Sequence, residues 1–503
     1  MKSNTIQHLV AERAMLSPNK EALVEGEQRY TYEMFSNQIN RIANFLVSQG
    51  VTKGDRVGIL ARTTAAYPTV MMAIVKIGAV VSPLSENMTP YELDHIIESG
   101  KLKALLHHRE FSTVVEGAKA IDQLNFTVVL EREPKFSEQF NQFSAEEPSF
   151  DYKVTEEDTA LMMFTSGTTG NAKGCMISHG GVRKYLESGR TEDLIHVEMH
   201  YLFVHPFFHM SSMNSMFHCI KSGVTMVCSE ETEPARILDI IDKENITLLL
   251  ALPPALTYLL EELEQNPREN LPWKLALSGG TKVPESLIRN LEKHGVTVAQ
   301  GYGSTEAWVI SAWAPQMGWD KVNSVGKPIA GVEVKVVNPE TREAVATGEI
   351  GEVLVKSPYI FKGYWGNEAA TQAVLHDGWL SMGDAGKLDE EGFLYIDGRY
   401  KDVIVYGGDN IYPDQVEDVI LSIDDVLETA LVGMPDDLYG EVPYAYTVVR
   451  EESTVTETEV KEYCKERLTA YKVPKIVFVP SLPKNSVGKI MKKKVKELAL
   501  AHA

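Results

Sequence analysis

At 503 residues, with 44% hydrophobic and 24% charged side chains, the chain has the make-up of an ordinary globular protein and is long enough for more than one domain. A formal net charge of −21 excludes broad nucleic-acid binding and leaves any anionic substrate to a few well-placed cations. The four cysteines form no C-x-x-C pair, as in a reducing compartment, and neither a signal-peptide core nor a membrane-length apolar run is present, so a cytoplasmic protein is expected.

In chain order, Thr31 is placed to cap a helix whose Phe35, Ile39, Ile42, Ala43 and Leu46 share one face and which ends at Gly50. Strands are expected at 57–60, 79–81, 102–106 and 127–130, with an apolar helix over 67–77. Such alternation predicts a largely parallel sheet covered on both faces. Residues 131–158 turn acidic, with scattered Phe and Pro, and read as a surface connection.

An apolar run, residues 160–164, then enters Thr165-Ser166-Gly167-Thr168-Thr169-Gly170-Asn171-Ala172-Lys173-Gly174. Glycines let backbone N–H groups turn toward an anion, and hydroxyls add donors without bulk, so the loop reads as a phosphate cradle. Taken alone it could equally be a flexible surface loop. It is not the common P-loop, because no Gly-Lys in the chain is followed by Ser or Thr.

A second α/β run follows, with strands at 201–204, 225–227, 247–250, 275–277 and 296–299. The last two enter Gly279-Gly280 and Gly301-Tyr302-Gly303, and glycine turns at strand ends are where open α/β sheets bind ligands. The triplet lacks the third glycine of a dinucleotide fingerprint. From Val332 the pattern shifts to short alternating strands at 333–337 and 352–355, a smaller β subdomain. A boundary is expected at Gly398, giving domains 1–398 and 399–503. The second is a small α+β unit with helices over 414–422 and 457–468 and strands near 429–432 and 444–449.

The His205 to His209 and His196 to His200 pairs lack the H-E-x-x-H order of zinc sites, and no G-x-S-x-G nucleophile elbow occurs. Asp384 after Gly383 reads alone as a turn residue, and Lys489 in a basic C-terminal stretch as solvated surface.

Taken together, Thr-Ser-Gly-Thr-Thr-Gly-x-x-Lys-Gly, Gly-Tyr-Gly-Ser-Thr-Glu (301–306), Gly383-Asp384, Gly398-Arg399 and Pro-Lys-x-x-x-Gly-Lys (483–489) closely resemble, in order, the motifs of adenylate-forming acyl-CoA synthetases. The resemblance implies a large α/β domain of stacked subdomains, a β subdomain, and a mobile α+β C-terminal domain. It implies ATP, Mg²⁺ and coenzyme A as partners of a small carboxylic acid, with neither nucleic acid nor a membrane span, and leaves a homodimer open. ATP would be held by Thr165, Ser166, Gly167, Thr168, Thr169, Lys173, Gly279, Gly280 and Gly303. Tyr302 would stack on adenine, Asp384 and Arg399 would bind the ribose, and Thr305 would reach the α-phosphate. Glu306, with Thr165, would bind Mg²⁺, for which a hard carboxylate is suited. Lys489 would bridge the attacking carboxylate and the α-phosphate. Lys401 matches the hinge, and Gly407 and Gly408 lie in the segment that contacts pantetheine.

For the acid, His209 matches an aromatic or His gate beside the acyl pocket, with Met210, Met213, Gly301 and Trp308 as walls. The related malonyl ligases carry Arg where this chain has Gly301, and 205–214 contain no carboxylate to hold an ammonium. The expected substrate is an apolar monocarboxylic acid of medium chain length. An aryl or carnitine-like acid and an acceptor other than CoA stay open, as does a luciferase-like oxygenase. A non-catalytic relative would be expected to lose Lys489, Glu306 or Asp384, and all three are present.

Overall fold

Thr31 caps the helix Tyr32–Ser48, its hydroxyl accepting from the Met34 N–H at 3.2 Å. The computed structural model describes residues 4–165, 173–188, 195–407, 409–436, 438–485 and 488–501. In it the predicted face of that helix, Phe35 to Leu46, is buried and packs on the helix Ala66–Lys76, every residue of which is buried. Both helices share one apolar core with strands of two sheets, which is why Ala66–Lys76 is apolar all round.

The first sheet has seven strands. Five of them are parallel, from Thr159–Thr165 through Val80–Pro83, Arg56–Leu60 and Leu102–His108 to Phe126–Leu130. The antiparallel strands Lys173–Ser178 and Gly363–Tyr364 extend it. The second sheet has nine strands, mostly parallel, with Thr297–Ser304 turning antiparallel into Trp308–Trp313. Its far edge is the hairpin Glu21–Glu25 and Gln28–Thr31, where Leu23 registers with Met226. Local sequence does not announce this hairpin, because its partner strand lies some two hundred residues away.

The acidic segment 131–158 is mostly exposed or half-buried, the expected surface connection, and it is anchored along its length. Phe136 and Phe140 are buried, Phe45 packs on Phe140 and Phe143 with centroids 5.3 Å apart, and Asn40 and Arg41 donate to the carbonyls of Ala145 and Phe143. The glycines at 301 and 303 do not form a turn at a strand end. They lie within the strand Thr297–Ser304, and the turn comes after it, at 305–307. Glycine is required there by close backbone approach: a Cβ on Gly303 would meet the Trp308 carbonyl oxygen at 1.7 Å, and one on Gly279 would meet that of Gly301 at 2.3 Å.

The strands Glu333–Val337, Gly351–Lys356, Leu375–His376, Trp379–Leu388 and Leu394–Arg399 form an antiparallel sheet. Beyond it, Val426–Asp436, Gly440–Val449 and Lys475–Phe478 with the hairpin Ile404–Tyr406 and Asp409–Ile411 make a fourth sheet. The helices Pro413–Leu421, Glu457–Lys465 and Lys492–Ala501 pack against it, and their apolar clusters draw only on residues from 404 onward. The architecture is mixed α/β, with stacked subdomains followed by a small α+β unit. Among the described residues no helix is long and apolar enough to cross a membrane.

Candidate active site

Asp384 and Arg399 face each other across the strands Trp379–Leu388 and Leu394–Arg399, and Arg399 Nε lies 2.9 Å from Asp384 Oδ1. The guanidinium is fixed further by donating from Nη1 to the Met382 carbonyl at 2.8 Å. Asp384 is 5% exposed, and the Tyr302 hydroxyl donates to its Oδ2. Burial raises the Asp384 pKa, against the lowering pull of Arg399, Tyr302 and Lys489. The second sheet and the β subdomain thus meet at one carboxylate, on which the Lys489 charge of the C-terminal segment also acts.

Lys489 is held on a tight turn. Its N–H donates to Asn485 Oδ1 at 2.9 Å, the Gly488 N–H donates to the Asn485 carbonyl at 3.0 Å, and Gly488 takes φ +78°. Desolvation and the Arg399 charge lower the Lys489 pKa, partly offset by Asp384 and Asp414. Asp414 also lies 3.5 Å from Lys492, whose Nζ is 2.8 Å from Glu417. A Cβ at Gly398 would sit 3.0 Å from Asp414 Oδ1, so glycine (here φ +110°) lets that carboxylate approach the strand.

Ser166, Gly167, Thr168 and Thr169 lie outside the described residues, but both ends of their loop are visible. Thr165 pairs with Lys173 in antiparallel register. Lys173 Nζ stands 5.2 Å from the centre of the Tyr364 ring, and the Tyr364 hydroxyl donates to Glu306 Oε1 at 2.7 Å. Glu306 is also tied by its carbonyl, which accepts from the Phe361 N–H at 2.8 Å. Tyr364 therefore links the glycine-rich loop to the Thr305-Glu306 turn, a residue that no sequence motif singles out. Thr305 is half-buried in that turn, where the Ala307 N–H donates to Ser304 Oγ at 3.2 Å. Among the described residues no three His, Cys, Asp or Glu side chains cluster as a metal cage. The lone Glu306 carboxylate fits Mg²⁺, an ion that takes one or two protein oxygens and completes its shell with phosphate and water. Nearby, Gly280 takes φ +76°, and the buried Ser278 Oγ has no partner among the described residues.

His209 is the N-cap of the helix Met210–Ser222 and lies 4.8 Å from the His205 ring and 4.2 Å from Phe208. Burial, reinforced by His205, lowers its pKa to about 3, and burial lowers that of His205 to about 4. Both rings are neutral at ordinary pH. Met210 is half-buried, whereas Met213 is fully buried in the main core, as is Trp308. Gly301 is half-buried, and a Cβ placed there would find Val309 as its nearest neighbour, at 3.7 Å.

Lys401 falls in the 3₁₀ turn Tyr400–Asp402, between the β subdomain and the fourth sheet. Across that turn Gln415 Nε2 donates to Asp397 at 2.9 Å, Lys282 pairs with Asp418, and Arg450 lies 3.2 Å from Glu261. Gly407 takes φ +58° and donates to the Tyr439 carbonyl at 2.8 Å, beside the stacked rings of Tyr406 and Tyr439. That bond ties it to its own unit rather than to the Asp384 and Lys489 group, and Gly408 lies outside the described residues.

The described residues thus bring together a buried carboxylate clamped by tyrosine and arginine, a lysine whose charge acts on it, and an acidic turn tied through Tyr364 to Lys173. The family model described as "AMP-binding enzyme" matches residues 10–365, and that described as "AMP-binding enzyme C-terminal domain" matches 415–489. The chain belongs to this family of AMP-binding enzymes.

Within it the chain stands among the AMP-forming acyl-CoA ligases, the acid–thiol ligase class. It is 43% identical over 493 residues, 97% of this chain and 98% of the relative, to YdaB of Bacillus subtilis (strain 168), whose name gives acyl–CoA ligase as a provisional activity. It is 30% identical over 500 residues, 97% of each chain, to the long-chain-fatty-acid–CoA ligase FadD13 of Mycobacterium tuberculosis. The solved o-succinylbenzoate CoA synthetase (MenE) of Bacillus subtilis, in complex with its acyl-adenylate intermediate, superposes with a TM-score of 0.85 at 29% identity, over 97% of this chain and 98% of that one.

Proposed function

We propose that the protein joins an uncharged-tailed monocarboxylic acid to coenzyme A in two steps. The carboxylate attacks the α-phosphate of ATP, giving acyl-AMP and pyrophosphate, and the CoA thiol then takes the acyl group and releases AMP. The observation that carries this reading is the clamp of Tyr302 and Arg399 on the buried Asp384, with the Lys489 charge acting on the same carboxylate.

In this reading Asp384 accepts the ribose hydroxyls while Arg399 steadies it, a pairing of acceptor carboxylate and forked donor suited to a diol. The Tyr302 hydroxyl is committed to Asp384, which fixes its ring as a platform for the base. Lys489 supplies a point cation where charge develops during in-line displacement. Mg²⁺, when bound at Glu306, neutralises phosphate charge. Thr305 and the hydroxyls of 165–169 donate to phosphate oxygens, and Lys173, steered by the Tyr364 ring, adds a cation.

Acyl-AMP is a mixed anhydride, so the site must exclude water, yet Lys489 has to leave before a thiol can reach the same carbon. A small unit turning about Lys401 meets both needs. A division at 398/399 is part of the proposal, supported by the self-contained apolar clusters beyond 404. Turning would exchange the Lys489 turn for the segment around Gly407 and Gly408.

Neutral His205 and His209 offer no cation to a second carboxylate, which supports a monocarboxylic acid with an uncharged chain or ring. The name of FadD13 gives long-chain fatty acids, whereas that of MenE gives o-succinylbenzoate, an aromatic acid with a second carboxylate. The test is pyrophosphate and AMP release across a panel of alkyl and aryl acids, with and without CoA. Pyrophosphate for one acid class, with AMP and acyl-CoA only when CoA is added, is the expected result. Acyl-AMP that never passes to CoA would move the acceptor to another nucleophile.

A further inference from the structure

Polar side chains from three other segments gather around Tyr185 of the helix His179–Glu187. Asn214 and His218 come from Met210–Ser222, one turn apart; Trp308 opens the strand Trp308–Trp313; Tyr359 lies just before the residue that anchors Glu306. The Tyr185 ring centre lies 5.1 Å from that of His218, 4.8 Å from Trp308 and 5.1 Å from Tyr359, and Asn214 Nδ2 donates to the Tyr185 hydroxyl at 2.8 Å. Trp308 and Tyr359 are each 1% exposed.

Four polar atoms of this nest are shut off from solvent and have no hydrogen-bond partner among the described residues: Asn214 Oδ1, His218 Nε2, Trp308 Nε1 and the Tyr359 hydroxyl. Native interiors leave few such atoms unpaired, and four in one nest mark it as a place for a polar group. Trp308 reaches its place only through left-handed backbone, φ +62°, a conformation costly for a bulky residue and found where function holds it. The nest adjoins the helix and the strand that carry Met210, Met213 and Trp308, the expected walls of the acyl pocket.

Its chemistry is selective. The indole N–H only donates, Asn214 Oδ1 only accepts, and the Tyr359 hydroxyl does either. Burial and the Lys221 charge hold His218 neutral, with its pKa near 3, and Lys221 itself donates to the Leu186 carbonyl. A plain alkyl end would leave all four atoms unpaired, and a second carboxylate would enter a neutral nest. A hydroxyl, donor and acceptor at once, satisfies an N–H on one side and an acceptor on the other.

We propose that this nest reads a neutral hydroxyl on the acyl part of the substrate, so that the protein selects hydroxylated monocarboxylic acids over their unsubstituted counterparts. The inference rests on the acid–CoA ligase reading above and narrows its substrate from an apolar acid to a hydroxylated one.

The test compares kcat/KM within matched pairs, para-hydroxybenzoate against benzoate and omega-hydroxyoctanoate against octanoate, by pyrophosphate release. At least one hydroxylated acid should be preferred by about tenfold or more, since a site built to bond a hydroxyl discriminates strongly against its absence. Tyr359→Phe removes one oxygen that is unpaired among the described residues, so it should fold, with the melting temperature as check. It and Trp308→Phe should each cut the preference about tenfold. Unsubstituted acids turned over as well or better would mean that the nest holds water, overturning this inference and leaving the ligase reading intact. A preference unchanged in both variants would place the hydroxyl elsewhere and overturn the nest. No pyrophosphate from any acid would bring down the ligase reading and this inference with it.

Discussion

Tyr302 donates its hydroxyl to the buried Asp384, joining a motif of the second sheet to one of the β subdomain through a single hydrogen bond. Tyr302→Phe keeps the ring and removes the bond. Because Tyr302 lowers an Asp384 pKa that burial has already raised, its loss should push that pKa higher still. The acid limb of acid-dependent ATP–pyrophosphate exchange should therefore move to higher pH, with the KM for ATP rising several-fold, by about the worth of a bond to a charged group. Asp384→Asn should abolish the limb and cost more. An unmoved limb in Tyr302→Phe would separate the pair functionally.

Lys489 titrates below the ordinary lysine range because it is desolvated beside Arg399. If adenylation needs the ammonium, its rate should fall on the alkaline side before an ordinary lysine would lose its proton. Lys489→Ala should lower pyrophosphate formation by about 100-fold or more, the scale of losing one transition-state charge contact. Transfer from preformed acyl-AMP to CoA should survive. Equal damage to both half-reactions would refute the assignment.

Lys401 sits in the short turn Tyr400–Asp402, which we propose as the hinge of the C-terminal unit. Proline there fixes φ and removes an N–H, so Lys401→Pro should slow thioester formation more than adenylation. In that proposed movement the pairs Lys282 with Asp418 and Arg450 with Glu261 would part. Rapid-quench measurement of the two half-reactions decides it: matched losses would remove Lys401 from the hinge.

His179 is fully buried, with neither ring nitrogen partnered among the described residues, and burial lowers its pKa to about 4. In the unfolded chain it titrates near the ordinary histidine value of 6.5, so between pH 6.5 and about 4 unfolding takes up a proton. Stability contributed by this residue is complete above that window and declines as pH falls through it, by up to about 1.4 kcal/mol per pH unit. His179→Phe should flatten that part of the acid slope and leave neutral stability equal or about 1 kcal/mol higher, since an unpaired polar ring is replaced by an apolar one. Urea midpoints at pH 7 and pH 5 measure both. An unchanged slope would show that the native ring takes up its proton as readily as the unfolded one, which would refute the burial-lowered pKa.

Much of the fold was legible because its signals are local. The capped helix after Thr31, the apolar helix over 67–77 and the alternating strands all follow from periodicity and caps, which act over a few residues. The hairpin at 21–31 was not legible, because its strand exists by pairing with Thr225–Cys228. The anchoring of the acidic 131–158 segment was hidden for the same reason, since Phe45 and Asn40, far back in the chain, hold it down.

The sequence by itself determined the residue types a nucleotide site requires and their order along the chain, because motif spacing is a one-dimensional property. Only the tertiary structure decided which of them meet: that Tyr302 clamps Asp384, that the Lys489 charge acts on the same carboxylate, and that Tyr364 bridges Lys173 and Glu306. It alone also exposed the nest around Tyr185, whose members other than Trp308 look like ordinary core residues in the sequence. Whether a buried polar atom is paired depends on every segment packed around it, and no stretch of the chain carries that information alone.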